Sequence, residues 1–449
     1  MQPIHDLIGI GFGPSNVALA IALEEQRDAH GRAVAPFFIE RQPAFAWHPH
    51  MLLAQSHMQI SFLKDLVTLR HPRSRFTFLN YLHEQGRLPD FINLKSFYPS
   101  RQEFNDYLRW AAGHFEDRCA YGEDVFEVLP ETAEDGSVQA LRVRSRDVAG
   151  AVHERLARNL IVGVGGSARI PEVFRGLRGD PRVFHSSTYL RDMAACGDAR
   201  RIAVVGAGQS AAEIFMDLQG RPQAPEVDWV MRARAIRPAD DSPFVNEVFN
   251  AQFTDYMFGC SCAQREALLR EYAHTNYAVA DLDLIQQVFK VFYEQRVAAS
   301  ERLRMLRQHE VTAAQADASG IHFTLRDGAS GQQRVERYDA AVLATGYERV
   351  AHRQVLAPLA RYLGDFTVDR HYRIQATPGF KPGIFLQGAC EDSHGLSDTL
   401  LSVTAVRSGE IGGVIAASLL GAEGPRHAAA GRRSGAGGAS ESEETALYA

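Results

Sequence analysis

Two glycine clusters, each placed directly after an apolar run, carry the plainest chemistry in this 449-residue chain. Gly11-Phe12-Gly13-Pro14-Ser15-Asn16 follows Leu7-Ile8-Gly9-Ile10, and Gly206-Ala207-Gly208-Gln209-Ser210-Ala211 follows Ile202-Ala203-Val204-Val205. Where a strand ends and a helix begins, such a cluster turns the backbone too tightly for a side chain and offers helix N-H groups to a pyrophosphate. One match would be weak. Two in strand-turn-helix context predict two dinucleotide sites.

The residue ending the next strand separates the two nucleotides. After the first cluster and a helix from Val17, the strand Pro36-Phe37-Phe38-Ile39-Glu40 ends in a carboxylate. Glu40 can accept from ribose hydroxyls and repels a 2'-phosphate, so this site suits FAD or NAD. Its spacing from Gly13 is longer than usual, with the loop 26 to 32 as the excess. After the second cluster, Val227-Asp228-Trp229-Val230-Met231-Arg232 ends in a guanidinium, which favours NADPH, with Arg234 and Arg237 as helpers. The bland reading is that Glu40 and Arg232 only solvate strand ends.

Composition agrees with a nucleotide-binding enzyme and excludes other classes. Lys and Arg total 48 against 54 Asp and Glu, a net charge of -6, so there is no basic excess for nucleic acid. The first apolar run is already a strand, not a signal peptide, and the glycine-punctuated stretch 411 to 422 is too short to span a bilayer. The cytoplasm is the expected compartment. The five cysteines Cys119, Cys196, Cys260, Cys262 and Cys390 are scattered, with neither C-x-x-C spacing nor a second pair for zinc. No metal site is expected. A flavoprotein without a redox cysteine pair passes electrons to oxygen or another small acceptor.

The elements that position these clusters read as an α/β fold with two Rossmann-like domains. The expected division is 1–166 for the first part of an FAD domain, 167–337 for an NADPH domain, and 338–422 for the rest of the FAD domain, with a disordered tail over 423–449. The strand 338–347 is expected to lead the chain back. A helical insertion at about 238–308, clearest at 263–273 and 284–296, is placed over the cleft as a substrate-binding element. Ser100-Arg101-Gln102-Glu103 has the form of a capping box before Phe104, Tyr107, Leu108 and Ala111.

Several blocks together resemble the microbial N-hydroxylating flavin monooxygenases of siderophore biosynthesis, most nearly the L-ornithine enzymes, with the L-lysine enzymes as near relatives. They are Gly11 to Asn16, Trp47-His48-Pro49, Met58 to Leu66, Asp240 to Glu247, and Ala344-Thr345-Gly346-Tyr347, and the likeness runs from Asp6 to about Gly413. The family replaces the third glycine of the flavin motif, as Asn16 does here. The resemblance implies FAD and NADPH as cofactors and L-ornithine and molecular oxygen as substrates. NADPH would reduce the flavin, oxygen would add as a C(4a)-hydroperoxide, and the neutral side-chain amine would take the distal oxygen. It leaves homo-oligomer formation open.

Site residues carry over by motif. Lys64 resembles the lysine that meets the amino-acid carboxylate; otherwise it is a solvated neighbour of Asp65. Asn246, in the Ser-Pro-Phe-Val-Asn-Glu block, and Asn276, which resembles a family asparagine that bridges substrate and nicotinamide, would complete that pocket, though isolated asparagines are more often caps or turn residues. Gln59 would face the flavin and its oxygen adduct, giving Gln59, Lys64 and Asn276 as the catalytic set. Gly11, Gly13, Pro14, Ser15, Asn16, Glu40, Trp47, His48 and Val125 are expected on FAD. Gly206, Gly208, Gln209, Ser210, Arg232 and Asn276 are expected on NADP. Ser397, Asp398 and Thr399 resemble the segment returning to the flavin, with Leu400 beside the substrate. Their alternative is an N-cap at Ser397 or Asp398 before a helix from Leu400, and that helix terminus would favour an anionic flavin.

Three other functions are weighed. Ketone-oxidising flavin monooxygenases carry F-x-G-x-x-x-H-x-x-x-W or Y; Phe174-Arg175-Gly176 and His185 have the halves at the wrong spacing. A non-oxygenating NADPH oxidoreductase and a regulatory nucleotide-binding module need no amino-acid pocket of the Lys64, Asn246 and Asn276 type. Ornithine over lysine or a diamine rests on resemblance, because one methylene changes affinity by only about 1 to 3 kcal/mol.

Overall fold

The strand Ile4–Ile10 is apolar on both faces from Leu7 onward, and it lies at the centre of a seven-stranded sheet, buried from both sides. In the computed structural model, which describes residues 3–26 and 33–420, it pairs in parallel with Pro36–Glu40 and Val152–Val162. Cys119–Tyr121 extends one edge. Val152–Val162 changes character along its length. Its first half pairs antiparallel with Val138–Asp147, which pairs with Glu123–Thr132, while its buried last residues accept Gly383–Leu386 in parallel. Late chain thus completes a sheet begun at the N-terminus.

A second sheet is wholly parallel, in the order Leu303–Arg307, Glu226–Met231, Arg201–Val205, Ala340–Leu343, Val183–His185. Its helix Gln209–Gln219 packs Phe215 between Trp229, at 5.1 Å, and Phe292, at 5.2 Å. A three-stranded antiparallel sheet, His309–Asp317, Gly320–Asp327 and Gln333–Tyr338, closes the other face, where Phe323 meets Phe174 at 5.4 Å. Two Rossmann-like sheets with helical segments between them are the architecture.

Two expected boundaries shift. Ala340–Leu343 is fully buried and pairs with both neighbours in the second sheet, so the chain returns to the first sheet only after Gly346, not at 338. The expected insertion at 238–308 also divides. Helix Leu282–Val297 and strand Leu303–Arg307 belong to the second nucleotide unit, because Phe292 and Leu303 are part of its core. Ala251–Gly259 and Cys262–Glu271, with the 3-10 turns Val245–Phe249 and Tyr272–Thr275, form a separate small cluster whose two helices lie against Glu391–His394. Ser100 caps helix Arg101–Gly113 through the Glu103 N-H, but the Glu103 carboxylate turns to Arg87 at 3.1 Å, so the box is half formed. Residues 27–32 of the expected long loop and the tail 423–449 lie outside the described residues.

Candidate active site

Both glycine turns open on one continuous cleft of about 3020 Å³ between the sheets. Single-ligand pockets are roughly 300 to 1,000 Å³, so this cleft has room for two dinucleotides and a small substrate.

The first turn is tight and open to the cleft. Gly11 has φ +83°, and a Cβ there would stand 2.6 Å from the Gly163 carbonyl oxygen. Gly13 begins helix Pro14–Glu25 with no side-chain cap and open space where its Cβ would be; Pro14 has no N-H and those of Asn16 and Val17 bond the Gly13 carbonyl, so the Ser15 N-H is the one the first turn leaves for an anion. Asn16, standing where a third glycine is usual, is fully buried beneath the turn and forms no part of the cleft wall. Its Nδ2 donates to the Gly11 carbonyl at 2.7 Å, and its Oδ1 accepts from Gln387 Nε2 at 2.8 Å. The close approach has moved to Gly163, where a Cβ would come within 2.9 Å of Asn16. Asn16 therefore shapes the turn from below.

Glu40 is tied to the same turn. Its Oε2 accepts from the Phe12 N-H at 2.7 Å and its Oε1 from the Gln42 N-H at 2.9 Å, with the side chain on the cleft wall. Trp47 and Val125 line the wall, Trp47 held by its N-H to Asn105 Oδ1 at 2.9 Å. His48 adopts a left-handed conformation, φ 47°, and opens onto the cleft. Loss of solvation between the cleft walls, with Arg101 and Arg349 nearby, lowers its pKa. Thr399 and Leu400 also face the cleft.

Ser397 does not. It is fully buried, off the cleft, with its hydroxyl unpartnered among the described residues. The expected cap is also absent: two 3-10 turns, Leu396–Thr399 and Leu401–Val403, precede the helix, which starts at Thr404. Asp398 does not cap because its carboxylate is already engaged, by Arg407 at 2.8 Å and by the Cys390 N-H at 2.6 Å. Arg407 reaches on to Ser15 Oγ at 2.9 Å, fastening the returning segment to the first turn.

The second turn repeats the plan. A Cβ on Gly206 would stand 2.3 Å from the Ala344 carbonyl oxygen, and Gly208 begins helix Gln209–Gln219 without a side-chain cap. Gln209 and Ser210 line the cleft, and so does Arg232, exposed and free of ion pairs among the described residues. Arg234 and Arg237 are not on the wall; Arg237 instead meets His274 Nε2 at 2.9 Å. The two uncapped helix starts, a carboxylate at one strand end and a guanidinium at the other fit FAD and NADP respectively.

Gln59, Lys64, Asn246 and Asn276 all line this cleft. Asp65 is not the partner of Lys64. Its buried carboxylate accepts from the N-H groups of Val67, Thr68 and Phe78 and from the Thr68 hydroxyl. Lys64, half-buried, has no ion pair among the described residues; its Nζ lies 5.9 Å from the centre of the Phe249 ring, and burial lowers its pKa. Asn246 is placed by a turn in which its N-H bonds the Ser242 carbonyl at 2.8 Å, and Asn276 follows the 3-10 turn Tyr272–Thr275. Gln59 donates to Asp281 Oδ1 at 2.9 Å.

Several cleft residues had no sequence signal. Arg101 makes a bidentate pair with Glu213, at 2.8 and 2.7 Å, joining the two units. Tyr277 bonds Glu391 across the cleft mouth. Arg407 was visible only as one basic residue in a late helix. No cluster of metal-ligating side chains and no helix long and apolar enough to cross a membrane occurs among the described residues.

Comparison with known proteins places this geometry. Residues 3–349 match the model of the L-lysine 6-monooxygenase/L-ornithine 5-monooxygenase family. The chain is 53% identical to an L-ornithine N(5)-monooxygenase of Pseudomonas aeruginosa over 91% of this chain and 93% of that protein. Among solved structures it resembles ornithine hydroxylase (PvdA) from Pseudomonas aeruginosa, with TM-score 0.89, 52% identity, and 92% and 99% of the two chains covered. It also resembles a Kutzneria sp. 744 ornithine N-hydroxylase described with reduced FAD, NADP+ and L-ornithine, with TM-score 0.87, 37% identity, and 92% and 99% covered. On the family match over residues 3–349 and the 53% identity over most of both chains, this chain belongs to the L-lysine 6-monooxygenase/L-ornithine 5-monooxygenase family.

Proposed function

We propose that the chain is an FAD- and NADPH-dependent monooxygenase that hydroxylates the side-chain amine of L-ornithine, supplying hydroxyornithine for hydroxamate siderophores. The observation that carries this reading is Lys64: a half-buried ammonium, without an anionic partner among the described residues, in the cleft that both nucleotide turns share. A buried cation left unpaired is costly, and the α-carboxylate of an amino acid would supply its counter-charge.

Bound FAD would supply the redox chemistry, with two electrons from NADPH and one atom of O2 going to the amine and the other to water. The first turn with Glu40 holds FAD, with Trp47, His48, Val125 and Thr399 along its length. The second turn holds the NADP pyrophosphate, and Arg232 takes the 2'-phosphate. Lys64 anchors the carboxylate, Asn246 and Asn276 hydrogen-bond the amino acid, and Leu400 gives an apolar wall. Only the neutral amine is a nucleophile. With an ordinary value near ~10.4, neutrality at pH 7 costs roughly 4 to 5 kcal/mol, and both burial and the positive charge of Lys64 act against a second ammonium. Five unpaired cysteines fit the reducing cytoplasm, where we place the enzyme.

The test is the yield of hydroxylamine per NADPH consumed, with ornithine, lysine and putrescine side by side. Near-stoichiometric product with ornithine alone supports the reading. A higher yield with lysine or putrescine moves the substrate, and hydrogen peroxide alone from all three removes N-hydroxylation.

A further inference from the structure

Asp281 precedes helix Leu282–Val297 at the N-cap position, where an aspartate ordinarily accepts from the first-turn N-H groups. Here it makes no such bond. Its two carboxylate oxygens are divided between different elements. Oδ1 accepts from Gln59 Nε2 at 2.9 Å, and Oδ2 accepts from Gln209 Nε2 at 2.9 Å. The backbone N-H of Asp281 donates to Gln209 Oε1, also at 2.9 Å.

The two glutamines belong to the two halves of the site. Gln209 is the first residue of the helix that follows Gly208, in the turn that would hold the NADP pyrophosphate. Its amide is fully committed, since the same Nε2 also donates to Glu213 Oε1 at 2.8 Å. Glu213 in turn receives the bidentate Arg101, whose Nε reaches the His57 carbonyl at 3.2 Å, two residues from Gln59. The network therefore closes on itself: Gln59, Asp281, Gln209, Glu213, Arg101 and back to the segment carrying Gln59.

Only a carboxylate satisfies the central position. Two amide donors converge on it from opposite sides, so an acceptor with two oxygens is required, and an asparagine would offer one oxygen and a clashing NH2. Groups bound in one network are energetically coupled, and whatever orders one end biases the other.

We infer that Asp281 is a positioning residue that couples the NADP turn to Gln59, so that nucleotide bound at Gly206 to Ser210 fixes the orientation of Gln59 toward the flavin side of the cleft. This rests on the N-hydroxylase reading only for its consequence in turnover. The coupling itself is a property of nucleotide binding.

The experiment is a double-mutant cycle on the FAD-loaded protein, with NADP+ as the titrated ligand followed by the flavin absorbance change. Gln59→Ala and Asp281→Ala should each weaken NADP+ binding about three- to tenfold, and the double variant should be no weaker than the poorer single variant. Asp281→Asn, which sets an NH2 against one of the two amide donors, should weaken NADP+ binding at least as much as Asp281→Ala. Asp283→Ala removes the same charge from the first turn of that helix and should leave the cycle unchanged. In turnover, Asp281→Ala should divert several-fold more NADPH to hydrogen peroxide while the KM for ornithine stays within about twofold. Multiplicative effects in the double variant, or an NADP+ affinity indifferent to Gln59→Ala, would overturn the coupling. A parent enzyme that yields no hydroxylamine would remove the N-hydroxylase reading instead, and the NADP+ cycle would still decide the role of Asp281.

Discussion

The Arg407 guanidinium donates to Asp398 Oδ1 at 2.8 Å with both side chains sealed from solvent, 1% and 0% exposed. A further guanidinium nitrogen reaches Ser15 Oγ at 2.9 Å, in the first glycine turn. The pair thus holds the late helix Thr404–Leu420 to the residues proposed to cradle FAD. Removing one partner leaves a buried charge unpaired, a loss on the order of 3 to 5 kcal/mol. Arg407→Met should therefore purify with little flavin and unfold at markedly lower urea. Full flavin content with unchanged urea midpoint would contradict this role.

Arg232 stands just past the strand Glu226–Met231, exposed on the cleft wall and unpaired among the described residues. A guanidinium there has nothing to do for NADH, which lacks the 2'-phosphate. Arg232→Ala should raise the KM for NADPH at least about tenfold and alter that for NADH by less than about twofold. Equal losses with both nucleotides would show a structural role only.

The backbone requirements were legible in the sequence, and the long-range partners were not. Gly11 and Gly206 are demanded by local geometry, Gly13 and Gly208 keep the space before each helix open, and the strand ends at Glu40 and Arg232 follow from the apolar runs before them. The run at 340–343 gave no sign of which sheet it would join, because strand pairing is settled by tertiary packing. Asp281, Glu213 and Asp398 look like ordinary acidic residues until Gln59, Arg101 and Arg407 are brought to them. Asp398 was readable as a cap for the same reason: capping preference is local, and Arg407 overrides it from nine residues away. Lys64, Asn246 and Asn276 were visible only through the surrounding blocks, since no periodicity or spacing distinguishes them.

Lys64 sets two opposed pH trends. Burial holds its ammonium below the ordinary lysine value, so its attraction for a carboxylate is present at neutral pH and is lost as pH rises through that lowered value. The reacting amine behaves oppositely, gaining its neutral form as pH rises. The KM for ornithine and kcat should therefore both increase with pH. Lys64→Met should raise KM about 10- to 100-fold, from a charge-assisted contact of roughly 1.5 to 3 kcal/mol, and flatten its pH profile while kcat still climbs. Flavin content should not change.

Two buried imidazoles make the fold sensitive to acid. His185, bonded to the Gly346 carbonyl at 2.9 Å, and His394, bonded to the Arg370 carbonyl at 3.1 Å, both have pKa values lowered by burial to about 4. An unfolded histidine titrates near ~6.5, so between these values the unfolded chain binds more protons and stability rises with pH. Each imidazole should withdraw up to about 3 kcal/mol as pH falls from 6.5 to 4. Urea midpoints across that range should drop steeply in the parent. His185→Gln should shallow the slope; an unchanged slope would mean that carboxylates dominate.

Asn16→Gly restores the glycine usual at the third place of a flavin motif, and it should harm this protein. The substitution removes the donor to the Gly11 carbonyl and leaves Gln387 Nε2 without Asn16 Oδ1 in a buried site, a loss of roughly 1 to 3 kcal/mol. It also puts a glycine inside helix Pro14–Glu25, worth up to about 1 kcal/mol more. The turn itself keeps its glycines, so FAD should still bind, but several-fold more weakly, with a lower thermal midpoint. Gly163→Ala approaches the same contact from the other side, with its Cβ within 2.9 Å of Asn16. Combined with Asn16→Gly, which vacates that space, Gly163→Ala should cost less than it does alone. Additive losses in the double variant would show that the two residues do not share the contact.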